Sequence, residues 1–149
     1  MKHILIAFAI VISVNASAQT TEDSVKAAVN LLFEAMKQSD GVKLQAAFTD
    51  SAVLQTIGNT KEGVLRIKNE SVKEFGASMS KLPKGAADEQ IQFETIKIDG
   101  PLASVWTPYK FYFNGKFSHC GVDSFQLVRI NSVWKIQYLI DTRRKEPCN

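Results

Sequence analysis

VWTPYKFYFNGKFSHCGVDSFQLVRINSVWKI, Val105–Ile136, decides how this chain folds. Three runs rich in β-branched and aromatic residues are separated by Asn114-Gly115 and Asn131-Ser132. Asn-Gly is a strong hairpin signal, because both central residues of a two-residue turn need positive φ. Working backwards, Asp99-Gly100 divides IQFETIKI from LASVWTPYKFYF in the same way. The spacing predicts a four-stranded antiparallel meander over the second half of the chain.

The turns also fix a register. With Phe113 opposite Lys116, Lys110 faces His119 and Trp106 faces Asp123. With Ile130 opposite Val133, Asp123 faces Ile140. One face then carries Trp106, Lys110, Tyr112, His119, Asp123, Phe125, Trp134, Tyr138 and Ile140. The other carries Tyr109, Phe111, Phe113, Cys120, Val128 and Asp141. FSHCGVD therefore holds no Cys–His pair, since Cys120 points away from His119 and Asp123. His119 and Asp123 share a face but stand roughly 13 Å apart at about 3.3 Å per residue, too far to hydrogen-bond. Pro108 has no N–H for the ladder and predicts a bulge or bend near it. A bulge there would exchange Trp106 for Val105 and Thr107 and turn Tyr109 toward the same side as Asp123.

Ahead of the meander the pattern is helical. In TTEDSVKAAVNLLFEAMKQSDG, Val25, Val29, Leu32, Phe33 and Met36 form one apolar stripe. Thr20 or Thr21 can cap that helix, and Gly41 suits its exit. VKLQAAF reads as a short second helix and Val53 to Ile57 as a brief strand. Lys61 to Ser80 reads as a third helix, weakened by Gly63 and Gly76. Three helices, a short strand and a four-strand meander make an α+β domain.

The first 18 residues, MKHILIAFAIVISVNASA, have a basic start, an apolar centre at Ile4–Val14 and a small-x-small end at Ala16-Ser17-Ala18. That is the pattern of a secretory signal peptide, and the apolar stretch is short of the ~20 residues a membrane span requires. Export would leave one domain at 19–149, of 149 − 18 = 131 residues, in an exported (periplasmic or secreted) protein. Without Lys2 it carries 17 basic and 15 acidic residues, too balanced to argue for nucleic acid. Cys120 and Cys148 in an oxidising compartment favour one disulfide over two free thiols. Two histidines, one in the leader, argue against a metal site, and no Gly-rich loop argues for a phosphate cofactor. No cofactor is expected.

Asp123 is the exceptional residue, a carboxylate on a face otherwise aromatic and aliphatic. It must find a donor, neutralise or border a cavity, and desolvation would raise its pKa. A structural aspartate satisfied by neighbours is the competing explanation. The aromatic residues beside it fit a core as readily as a ligand cage.

The order of parts resembles the nuclear transport factor 2-like superfamily. SDGVKLQAAFTDSAVL is similar to its opening of helix, Phe-x-Asp and strand, and VWTPYKFYFNGKFSHCGVDSFQLVRINSVWKI to its final three strands. HCGVDSFQL and DTRRKEPC resemble exported bacterial proteins of the SnoaL-like and lumazine-binding type. The resemblance implies a cone-shaped curved sheet around a pocket. It also implies a homodimer through the outer sheet face, which this register furnishes with Tyr109, Phe111, Phe113 and Val128. Related isomerases, dehydratases and cyclases place an acid–base residue in the pocket. The matching positions are Asp123, His119 and Tyr109.

Three functions follow as expectations. One is a binding protein for a small apolar or aromatic ligand, lined by Trp106, Tyr112, Phe125 and Tyr138. Another is a cofactor-independent enzyme with Asp123 as base. The third is a structural or interaction module.

Overall fold

A computed structural model describes residues 20–148. The expected leader lies outside them. Helix α1 (Thr21–Gln38) begins at Thr20, whose hydroxyl accepts from the Asp23 backbone while Asp23 accepts from the Thr20 amide. This reciprocal capping satisfies two amides that the first helical turn leaves free. Ser39, in the left-handed region at φ 56°, rather than Gly41, ends the helix. Val25, Val29, Leu32 and Ala35 are fully or almost fully buried along its inner side. Helix α2 (Gly41–Ala46) opens on Gly41, which lies against the Gly76 backbone, so neither glycine has room for a Cβ.

Strand β1 (Phe48–Asn59) is longer than the brief strand expected. The helix expected over 61–80 is in fact two elements, β2 (Leu65–Glu70) and α3 (Val72–Met79). Gly63, at φ 81°, makes the turn into β2. Ser71 then caps α3 by accepting from the Glu74 amide at 3.1 Å. Gly76 sits inside α3 because α2 packs onto it there.

Five strands follow: β3 (Ala87–Ile91), β4 (Thr95–Asp99), β5 (Leu102–Phe113), β6 (Lys116–Ile130) and β7 (Val133–Thr142). Together with β1 and β2 they form one sheet in the order β2-β1-β7-β6-β5-β3, with β4 also on β5. All pairings are antiparallel except β1 with β7. The expected run IQFETIKI is divided between β3 and β4, which share one edge of β5. Their interruption faces Pro108, whose carbonyl accepts from the Gln92 amide at 2.9 Å. The β5–β6 register passes Pro108 without a break.

The irregularities lie elsewhere. Phe111 pairs with His119 but Tyr112 with Phe117, leaving Ser118 as an extra residue in β6. Gln126 pairs with Tyr138 but Leu127 with Ile136, leaving Gln137 extra in β7. Because side chains alternate with period two, each bulge exchanges the faces of one strand segment relative to its partner. Thr107, not Trp106, stands opposite Asp123 on β5, and Asp141, not Ile140, on β7. The expected face assignment is thus corrected for Trp106, Lys110, Tyr112, Tyr138 and Ile140, which move outward. Val105, Thr107, Tyr109 and Asp141 are buried on the inner side instead.

The core lies between α1 and the inner face of the sheet. Phe33 meets Phe125 edge-on with centroids 6.1 Å apart. Phe125, Leu127 and Ile136 are fully buried. Each such side chain contributes about 1.5–3 kcal/mol by leaving water. Cys120 and Cys148 form the disulfide, with Cα atoms 5.8 Å apart, and Arg144 pairs with Cys120 through both backbone groups. The C-terminal tail is thereby held against the outer side of β6. Among the described residues, no helix is long and apolar enough to cross a membrane.

Candidate functional site

Where the core stops filling the space between helices and sheet, a cavity of about 270 Å³ remains. Leu32, Phe33 and Met36 of α1 and Phe75 and Met79 of α3 cover it. Leu54 of β1 and Leu139 of β7 extend the apolar lining onto the sheet. At the other end three carboxyl groups converge: Glu89 from β3, Asp123 from β6 and Asp141 from β7. His119 and Phe111 border them, and Arg143, half exposed, stands at the rim with Lys68 and Glu70.

Asp123 and Asp141 are directly cross-strand neighbours, 3 % and 8 % exposed. Two buried carboxylates in that position repel unless one is paired or protonated. Both devices are present. Arg143 Nε donates to Asp141 Oδ2 at 2.8 Å, and its Nη2 reaches Thr56 Oγ1 at 3.2 Å. Burial opposes the Arg143 charge, but Asp141 outweighs it and holds the guanidinium firmly protonated. Asp123 instead shares a hydrogen bond with Glu89. Burial first, then the Glu89 and Asp141 charges, raise Asp123 well above the usual carboxylate range. Asp123 therefore keeps the proton and donates it to Glu89. Burial and Asp141 in turn push Glu89 up to about 7.

Tyr109 crosses beneath this group. Its hydroxyl donates to the Thr142 carbonyl at 2.9 Å and lies 3.3 Å from Asp141 Oδ2. Gly121, opposite Tyr109 in the ladder, makes the approach feasible, since a Cβ there would strike the Thr142 carbonyl and the tyrosine ring. Burial and the surrounding carboxylates raise the phenol above its ordinary value, so it remains a donor. His119 packs on Tyr109 and Phe111 and accepts or donates at Nδ1 with Ser118 Oγ at 3.1 Å. Burial and then Arg143 lower its pKa, keeping the imidazole neutral at neutral pH. Thr107 Oγ1 faces Asp123 at 3.4 Å.

Of the residues expected at the site, the structure brings together Asp123, His119 and Tyr109. Phe125 is on the inner face but packed solid under α1. Trp106, Tyr112 and Tyr138 are on the outer side, with Trp106 46 % exposed and the Tyr138 hydroxyl donating to Gln55 Oε1 at 2.6 Å. Tyr109 and Phe111, expected outside, are inside. Glu89, Asp141 and Arg143 were not expected here. Asp141 in YLIDTRR, an acid ending an apolar strand and followed by arginines, is the one sequence signal that points to them.

The arrangement can hold a compact molecule with an apolar body, offer it one carboxyl donor and one carboxylate acceptor, and transfer a proton between them. Among the described residues, no group of side chains is suited to a metal ion.

The fold is similar to that of several solved proteins. One is a nuclear transport factor 2-like protein of unknown function from Methylobacillus flagellatus KT, with TM-score 0.65, 19% identity, and coverage of 89% of this chain and 96% of that one. Another, of the same description, comes from Shewanella baltica OS155, with TM-score 0.65, 13% identity, and 84% and 94% coverage. A third, from Nostoc punctiforme PCC 73102, is described by a cystatin-like fold, with TM-score 0.66, 13% identity, and 84% and 93% coverage. At these identities the likeness speaks for the fold alone. No curated protein matches the chain. Its fold is that of the nuclear transport factor 2-like proteins, residues 20–138 match the family described as "Putative lumazine-binding", and the chain belongs to that family.

Proposed function

We propose that the protein is an exported small-molecule-binding protein whose ligand occupies the cavity between α1, α3 and the inner sheet face. The observation that carries this reading is the pairing of an apolar cover with two convergent carboxyl groups, Glu89 and Asp123, in one recess. Binding sites typically combine apolar walls with a few convergent polar groups in this way, and a volume near the lower end of the usual range of about 300–1,000 Å³ selects a compact ligand. The leader pattern and the disulfide support export, because a disulfide persists in an oxidising compartment. Nuclear magnetic resonance titration with small apolar fragments tests the reading. Shifts confined to α1, α3 and the inner sides of β6 and β7 support it, and shifts scattered over the outer face would sink it.

A second reading is favoured by one observation. Glu89 at about 7, hydrogen-bonded to a protonated Asp123, is a base and an acid poised for proton transfer at neutral pH. In a cofactor-independent isomerase, dehydratase or cyclase, Glu89 rather than Asp123 would take the proton. Glu89→Gln separates the readings: a catalyst loses turnover while retaining substrate, whereas a receptor loses affinity.

We further propose that a second copy covers the outer sheet face. Trp106, Leu102, Ile130 and Val133 are exposed there, replacing the inward-facing Tyr109 and Phe111 as its apolar residues. Sedimentation equilibrium that returns a monomer at micromolar concentration would overturn this.

A further inference from the structure

We infer that the ligand presents a cationic nitrogen, a primary or secondary ammonium whose N–H groups bond Glu89 and Asp123 while its apolar body lies beneath Phe33, Phe75 and Met79. This deepens the binding reading above and rests on it.

The protein supplies its own cation to only one of the three converging acids. Arg143 is committed to Asp141 and Thr56. Among the described residues, neither Glu89 nor Asp123 forms an ion pair. Asp123 gives its proton to Glu89, and among the described residues the side chain that donates to Asp123 is Thr107, at a long 3.4 Å, although Asp123 is 3 % exposed. No cation of the protein neutralises this recessed carboxyl pair, and a charge held there is costly unless something else compensates it.

The remaining lining decides what that something is. Glu70, Glu89, Asp123 and Asp141 are set against Lys68 and Arg143, with His119 held neutral and the Tyr109 phenol protonated. The covering residues of α1 and α3 add no titratable group. An anionic ligand would face this excess of acids, and a purely apolar one would leave the pair without a counter-ion. An ammonium ion satisfies both oxygens by charge-assisted hydrogen bonds. The acidity is local, because the whole chain has a formal net charge of +3. On binding, the shared proton leaves the pair for solvent and the ligand N–H groups replace it.

Benzylamine, benzyl alcohol and benzoate are matched in size and differ in charge, so calorimetric titration with the three probes tests the inference. At pH 7.5, benzylamine should bind about tenfold or more tightly than benzyl alcohol, in keeping with the strength of hydrogen bonds to charged groups. Benzoate should bind least. Repeating the benzylamine titration in buffers of different ionisation enthalpy should reveal net proton release. Asp123→Asn should remove the amine preference while retaining the alcohol. Because the three-probe comparison uses the unmodified protein, an unstable variant leaves the test intact. Benzyl alcohol or benzoate binding as tightly as benzylamine overturns the inference alone. Binding of none of the three overturns the inference together with the binding reading.

Discussion

Glu89→Gln should stabilise the protein at alkaline pH and leave it nearly unchanged at acid pH. In the fold this carboxyl titrates at about 7, against an ordinary value of 4.5. The folded state therefore binds the proton more tightly than the unfolded state does. Its contribution to stability is complete below pH 4.5, declines as pH rises through about 7, and is level beyond. The change of 4.5 to about 7 corresponds, at about 1.4 kcal/mol per pKa unit, to roughly 3 kcal/mol. Glutamine keeps the shape and cannot ionise, so the variant does not undergo this decline. His119, with a pKa lowered by burial, adds a slope of opposite sign, and comparing variant with wild type at each pH removes it. Urea unfolding from pH 4.5 to 8.5 measures the difference. With m near 1–3 kcal/mol/M, the midpoint of the variant should exceed wild type by on the order of 1–3 M at pH 8.5 and by little at pH 4.5. Parallel midpoint curves across the whole range would refute the placement of Glu89 as a desolvated acid in contact with Asp123.

Three further outcomes are expected. Gly121→Ala forces a methyl group against the Thr142 carbonyl and the Tyr109 ring, and should cost about 1–3 kcal/mol or more in chemical denaturation. Replacing both Cys120 and Cys148 by serine frees a tail closed over a separation of 28 residues and should lower stability by roughly 3–4 kcal/mol, read as a fall in denaturation midpoint that reductant no longer deepens. Trp106→Ala, on the outer face, should weaken self-association in sedimentation while leaving benzylamine titration unchanged.

Helix α1 and the hairpins were legible because their signals are local. Thr20 with Asp23 announces a cap, and Asn114, Gly115, Asn131 and Ser132 all adopt positive φ as their turn requires. The helix expected from 61 to 80 failed because Val64, Leu65, Val72 and Phe75 mimic helical spacing, although Leu65 and Ile67 are in fact exposed on an edge strand. Ser71-Val72-Lys73-Glu74 carried the true start, a capping sequence inside the apolar pattern. The bulges at Ser118 and Gln137 were beyond reach. Neither residue differs in kind from its neighbours, and the extra residue is fixed by packing across the sheet. The disulfide and Asp123 were readable from the chain, whereas the partners of Asp123 depended on those two bulges. Glu89 was hidden for a different reason, since its strand begins earlier than the apolar run that suggested it.

The parallel pairing of β1 with β7 has a consequence for how the molecule is made. The last strand inserts between β1, begun at Phe48, and β6, so the earliest part of the sheet waits for the latest. Contacts so distant in sequence slow folding, because the intervening chain must be ordered before they form. Asp141 and Arg143 arrive with that final insertion. A polypeptide stopped before about residue 140 can build the hairpin of β5 and β6 and still own neither Asp141 with its arginine nor a continuous sheet joining β6 to β1.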